Sequence, residues 1–265
     1  MKNILVPVGD HKNAANTLQY AIDFAEQVNA TIYLVHIFSS SRVSGSFVKI
    51  DHLLEKDSKN ILLEHLSNVN KKTVKILPKS LKGHTIIDGV EQLVKVFNID
   101  LIISSTKNDT SDKSVFLGKI TGSFVKDLKT PVLIIPLNTA FKPILKILMA
   151  VKSGKIKFPS TLDPLQKIKN NFNSKLNLLQ VITPILDEND IAIHSELEQM
   201  TSEIIKTKNA TIFQGVLEFL HEENPDLICV IRRKRGFFKK LWEQDVVKKV
   251  DFESKIPVLV LKGKQ

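Results

Sequence analysis

The chain is written twice. "NIDLIISSTK" begins at Asn98 and "NPDLICVIRR" at Asn224, while "KTPVLIIPL" begins at Lys129 and "KIPVLVLKG" at Lys255. Both pairs stand 126 residues apart, so the segment between these two runs has one length in each copy. Upstream, "NILVPV" (3–8) matches "KILMAV" (146–151) and "IYLVHI" (32–37) matches "LNLLQV" (176–181), at offsets of 143 and 144. The second copy is therefore shorter by about 18 residues between its second and fourth apolar runs. An internal period of this kind constrains the fold before local propensity is weighed, because whatever one copy becomes the chain must hold two of.

Within the first copy, apolar runs alternate with segments of helical period. Residues 4–8 read as a strand. Residues 13–28 place Ala14, Leu18, Ala21, Ile22 and Ala25 on one helix face. Strands are then predicted over 31–38, 72–77, 100–105 and 131–136, separated by helices over 52–69, 85–97 and 118–128. Strands that are nearly continuous in Val, Ile and Leu, each followed by a helix, predict a parallel sheet covered on both faces. The order repeats from Ile144 to Leu261, and "PLNTAFKP" (136–143), with proline at each end, reads as the linker.

With 265 residues, 43% hydrophobic and 25% charged, the chain can bury a core in one large or two ordinary domains. No apolar run reaches the length of a membrane span, and "MKNILVPVGDHKN" reads as a first strand rather than a signal peptide. Cys229 is the only cysteine, which excludes an internal disulfide and points to a reducing cytoplasm. The net charge of +10 makes anionic partners conceivable, but the lysines are spread along predicted helices and read chiefly as solvated surface.

The blocks "KNILVPV", "ATIYLVHIF", "GHTIIDGVEQLVKVFNIDLIISST" and "LGKITGSFVKDLKTPVLIIP", met in order and again in the second copy, resemble the universal stress protein family. The resemblance covers nearly the whole chain. It implies two Rossmann-like universal stress protein domains, 1–138 and 142–265, each a five-stranded parallel α/β sheet covered by helices. It further implies that the two pack as a pseudo-twofold pair, one chain taking the place of a homodimer, with further self-association left open. The function implied is cytoplasmic stress response, with ATP or another adenine nucleotide bound in some members.

Family members that bind ATP carry glycine, two residues, glycine, nine residues, glycine and a hydroxyl residue before the last helix. Such glycines let backbone N–H groups approach phosphate at a helix start. Registered on Pro131, the third glycine is Gly118, Lys119 takes the hydroxyl position, and the first two glycines fall on Ser105 and Asn108. A register on Gly122 and Ser123 would stand only nine residues before Pro131 and is set aside. The family's aspartate after the first strand meets Gly9, with Asp10 one step on, and Ile37 matches the position whose backbone meets adenine. The resemblance thus implies a nucleotide site at Pro7, Val8, Gly9, Asp10, Ile37, Ser105, Asn108, Gly118, Lys119 and Ile120. In the second copy the corresponding positions are Lys152, Ile231, Lys234 and Gln244, so no nucleotide is expected there.

Other features read more plainly. "RRKRGFFKKLW" (232–242) would be an anion or nucleic-acid patch with Phe237, Phe238 and Trp242 as stacking faces, or a solvated loop with its aromatics in the core. The second reading is preferred, and nucleic acid and membrane are not expected partners. His36 reads as a satisfied core histidine over a ligand, Cys229 as a buried small hydrophobe, and His84 and His11 as weak candidates near the strand ends. No metal-ligand spacing and no nucleophile motif is present, and Asp10 is the one carboxylate near the phosphate side, so the chain reads as a non-enzyme. Three functions compete: a nucleotide-binding stress protein, a scaffold of the same fold without nucleotide, and an anion or nucleic-acid binder through residues 232–240.

Overall fold

The computed structural model describes residues 1–9, 13–39, 47–106, 115–182, 191–209, 212–232, 247–248 and 254–263. The first half runs β1 (Asn3–Pro7), α1 (Ala14–Val28), β2 (Thr31–Phe38), α2 (Phe47–Ser67), β3 (Ile76–Lys82), α3 (Ile86–Val96), β4 (Leu101–Ser105), β5 (Val115–Leu117), α4 (Lys119–Asp127) and β6 (Val132–Ile135). The second runs β7 (Lys146–Val151), α5 (Asp163–Phe172), β8 (Lys175–Ile182), α6 (Ser195–Met200), β9 (Glu203–Lys208), α7 (Ile212–Glu223), β10 (Leu227–Arg232), β11 (Val247–Lys248) and β12 (Val258–Lys262).

Ten strands form one sheet in the order β3-β2-β1-β4-β6-β12-β10-β7-β8-β9. Read from either edge, the order is the same in the numbering of each half, which is the pseudo-twofold relation. Every pairing within a half is parallel; the central β6·β12 pair is antiparallel, with Val132 opposite Val260, Leu133 opposite Leu259 and Ile134 opposite Val258. β6 and residues 258–261 of β12 are buried throughout, which is why they are apolar at successive rather than alternate positions. One face of the sheet packs under α1 and α5, the other under α3, α4 and α7. Across the join, Phe24 of α1 meets Phe172 of α5 at 5.8 Å between ring centres, and Phe141 of the linker stands edge-on to Tyr20 at 5.3 Å.

The "NID" and "NPD" triplets have an architectural cause. Asn98 and Asn224 adopt left-handed backbone (φ 48° and 41°), a region asparagine enters more readily than most residues, and so turn the chain from helix to strand. Two residues on, Asp100 accepts the backbone N–H groups of Lys2 (2.6 Å) and Asn3 (3.0 Å), and Asp226 those of Leu145 and Lys146 (2.9 Å each). Asn29 and Asn173 likewise end α1 and α5 in the left-handed region.

Two expectations are corrected, and one pairing is new. The third strand is not 72–77 but Ile76–Lys82, because β3 is an outer edge, where Pro78 is tolerated and the run "ILPKSLK" can pair with β2. The second helix starts earlier than expected, at Phe47 rather than residue 52, and ends at Ser67. The short antiparallel pair of β5 with β11, joining the two halves, has no counterpart in the sequence reading. The missing residues of the second copy are located: residues 39–75 connect β2 to β3, whereas 183–202 connect β8 to β9, and α6 stands where α2 would be.

Candidate functional site

The first half reverses its winding between β1 and β4: the chain passes from β1 out to β2 and β3, then returns to β4 on the other side. Carboxyl ends of parallel strands at such a reversal leave a crevice in which open α/β sheets bind ligands. A cavity of about 90 Å³ lies there. It is lined by Pro7, Val8, Gly9, Ile37, Ser105 and Ile120, all of them positions implied by the sequence, together with Val35, His36, Ile86, Ser104 and Thr121. Asp10 and Asn108 lie outside the described residues, as do His11, Phe237, Phe238, Trp242, Lys234 and Gln244.

Gly118 is the N-cap of α4. Its φ of −72° and ψ of 166° are open to any residue, so a side chain there is limited by space and not by backbone conformation. Its own N–H donates to the carbonyl of Thr106 (3.1 Å), and its carbonyl accepts from Gly122 (2.9 Å). Gly118 has no side chain with which to cap the helix, and the first turn holds no acidic residue, so the helix itself does not compensate its positive end. Lys119, at the first helical position, is exposed and does not line the cavity.

Thr121 was not singled out from the sequence. Its hydroxyl donates to the carbonyl of Ser105 (2.8 Å) and accepts from Ser104 (2.9 Å), since its single hydrogen is already spent. All three side chains are buried, so this pair fastens the start of α4 to the end of β4. His65 was also missed. Its Nε2 stands 2.7 Å from the carbonyl oxygen of Gly9; an oxygen there can only accept, so Nε2 carries the hydrogen and α2 holds the end of β1. His36 Nδ1 lies 2.8 Å from Ser58 Oγ, which in turn accepts from Ser80 (2.6 Å), so this cavity-lining histidine is hydrogen-bonded into α2 and β3. His84 is exposed and stands apart from the cavity.

Ile37 is spent on packing. A β-carbon placed on Gly89 of α3 would stand 2.8 Å from its Cδ1, so the helix can lie this close only because residue 89 has no side chain. Gly215 of α7 faces Val181 in the same way at 3.1 Å. The signal was present as "DGV" and "QGV" at the common offset of 126.

The second half differs at its strand ends. Lys152 follows β7, while Ile231 lies within β10, one residue before its end, and is buried. His194 N donates to the carbonyl of Gly154 (3.0 Å), and Gln180, the counterpart of His36, donates its amide to the carbonyl of Ile191 (2.9 Å). The Oε1 of Gln180 is buried and meets no donor among the described residues. Cys229, wholly buried in β10, has its thiol pushed far above the usual range by that burial.

Among the described residues no group of three or more His, Cys, Asp or Glu is placed to hold a metal, and no helix is long and apolar enough to cross a membrane.

The sequence model of the Universal stress protein family matches residues 1–136. The chain belongs to the universal stress protein family. A universal stress protein from Archaeoglobus fulgidus DSM 4304 aligns over 99% of this chain and 97% of its own, at TM-score 0.69 and 14% identity. A functionally unknown protein from Pseudomonas aeruginosa PAO1 aligns over 99% and 93%, at TM-score 0.62 and 14% identity. At such identities the likeness speaks for the fold: a universal stress protein sheet repeated along one chain. Among curated protein sequences none matches this one.

Proposed function

We propose that this universal stress protein binds an adenine nucleotide, with ATP the expected one, in a first domain spanning 1–138, and that a second domain spanning 142–265 binds none and serves as its built-in partner. The observation that carries this reading is the convergence of Pro7, Val8, Gly9, Ile37, Ser105 and Ile120 on one cavity beside the glycine-capped start of α4. Residues that lie far apart in sequence supply a floor at the strand ends, and Gly118 begins a helix whose free N–H groups favour anions. In the second half Lys152 and Ile231 stand where the first half has Gly9 and Ser105, which supports an empty partner. The role is assigned to the cytoplasmic stress response on the family resemblance and the single buried thiol.

One observation favours a scaffold without nucleotide instead: the cavity of about 90 Å³ is well below the several hundred cubic ångströms of ordinary small-molecule pockets. Protein purified without added ligand, then denatured and its released small molecules separated, distinguishes the two. Stoichiometric adenine nucleotide supports the first reading. Its absence, together with no heat on titration with ATP, overturns it in favour of the scaffold.

A further inference from the structure

The second half grips α4 of the first at both ends. Before the helix, β11 pairs antiparallel with β5, Val247 opposite Leu117, the residue that precedes the Gly118 cap. After it, the side chain of Lys262 at the end of β12 donates to the carbonyl oxygens of Phe124 (3.4 Å) and Val125 in the last turn. Among the described residues of its own half, the Thr121 hydroxyl and the Gly118–Thr106 bond fasten the start of the helix. The Phe124 carbonyl already accepts the N–H of Leu128 (3.3 Å), so Lys262 adds a second donor there and reaches the Val125 carbonyl one residue on, in the last turn where a helix runs short of its own donors.

The residue 126 before Lys262 is Pro136, which has no side-chain donor, so Lys262 has no counterpart at the matching position of the first half. A rigid helix of nine residues transmits a displacement at one end to the other, and its start borders the cavity.

We propose that Lys262 is a positioning residue for the nucleotide site of the first half, acting through α4 so that the second half, which binds nothing, sets the affinity of the first. The proposal rests on the nucleotide reading above. It gives the degenerate copy a reason to remain attached: it holds in place the helix on which the phosphate site depends.

The test uses the full chain and two probes, ATP and inorganic phosphate, titrated by calorimetry well below the melting temperature. Lys262→Met keeps the aliphatic stem and removes the donors; it is expected to weaken ATP binding at least fivefold and to speed amide hydrogen exchange across 119–127. Lys262→Arg, which keeps N–H donors, is expected to stay within twofold of wild type. Ile168→Val, a core change in α5 far from α4, controls for a mere loss of stability and is expected to leave the affinity unchanged. Equal ATP affinity in wild type and Lys262→Met overturns the proposal, as does an equal loss in Ile168→Val. Wild type that binds neither probe overturns the nucleotide reading and this inference with it. The exchange measurement separates the two failures: α4 loosened by Lys262→Met without any ligand means the grip is real and only the nucleotide is wrong.

Discussion

Asp100 and Asp226 are the same residue in two copies: each carboxylate accepts two backbone N–H groups from the start of its own half's first strand. Asp226 adds an ion pair with Lys142 at 2.7 Å, in the linker between the halves. Burial alone would raise the pKa of Asp226, but Lys142 and the N–H groups of Lys146 and Leu145 outweigh it and hold the carboxyl below the ordinary range.

Removing this clasp has a predictable cost. Asp226→Ala leaves two backbone donors and a lysine without their acceptor and is expected to lower stability by about 2 kcal/mol, read from urea unfolding at neutral pH. A depressed carboxyl pKa contributes stability that is full above the unfolded value of about 4 and is lost as pH falls through the folded one. The gap between wild type and variant should therefore narrow only in acid. A gap that narrows between pH 8 and 6 would assign the effect elsewhere.

Lys262 behaves with the opposite sign. Burial, and then the nearby charge of Arg232, lower its pKa to about 7, with Asp127 opposing. Between about pH 7 and the unfolded value near 10.4 the unfolded chain holds a proton that the folded chain does not, so stability rises with pH. The cost of the buried ammonium is complete below pH 7 and relieved above it, while the neutral amine still donates two hydrogens. Thermal melts from pH 7 to 10 should show wild type gaining on Lys262→Met. Parallel curves would mean that Lys262 keeps an ordinary pKa.

At the other end of α4, Lys119 places a cation on the helix's positive end with no acidic neighbour in the first turn. Lys119→Ser should raise stability by about 0.3–1 kcal/mol in the absence of anions. Phosphate, sulfate or ATP should then stabilise wild type more than the variant. Equal shifts in melting temperature with each anion would show that Lys119 takes no part in holding them.

Gly89→Ala pushes a methyl group into Ile37 at 2.8 Å, where Gly215→Ala meets Val181 at 3.1 Å. Overpacking of this kind costs about 1–3 kcal/mol, and the closer approach should cost more. Ile37→Val in the Gly89→Ala background should restore part of the loss, since it removes the offending Cδ1. If the double variant is no more stable than Gly89→Ala, α3 has moved away and the contact does not set its height over the sheet.

The sheet was legible because β1, β2, β4 and β6 are built on runs of Val, Ile and Leu whose spacing recurs. The fold follows from that period more than from any single propensity. Where packing ruled instead, the reading slipped: β3 carries Pro78 and polar residues that an edge position tolerates, so its apolar signal is weak. The β5·β11 ribbon pairs three residues with two from the far end of the chain, too short for any period to register. In the cavity, Ser105 and Ile120 were found by counting from Pro131, whereas Thr121 and His65 act through single contacts to the carbonyls of Ser105 and Gly9. A contact between distant segments leaves no mark on local sequence, and His65 lies on a helix face whose pattern is that of ordinary packing.

The central antiparallel pair also sets an order of events during synthesis. β6 is complete by Ile135, but its partner β12 begins only at Val258, so the whole segment between them is made before the pair can form. Throughout the intervening translation, a folded first half presents an open apolar sheet edge, the surface most prone to recruit a strand from another chain. Crowded nascent chains on one message would be each other's nearest candidates, and mispairing there would build exchanged dimers in place of closed monomers. The interval between Ile135 and Val258 is the period of greatest exposure to that error.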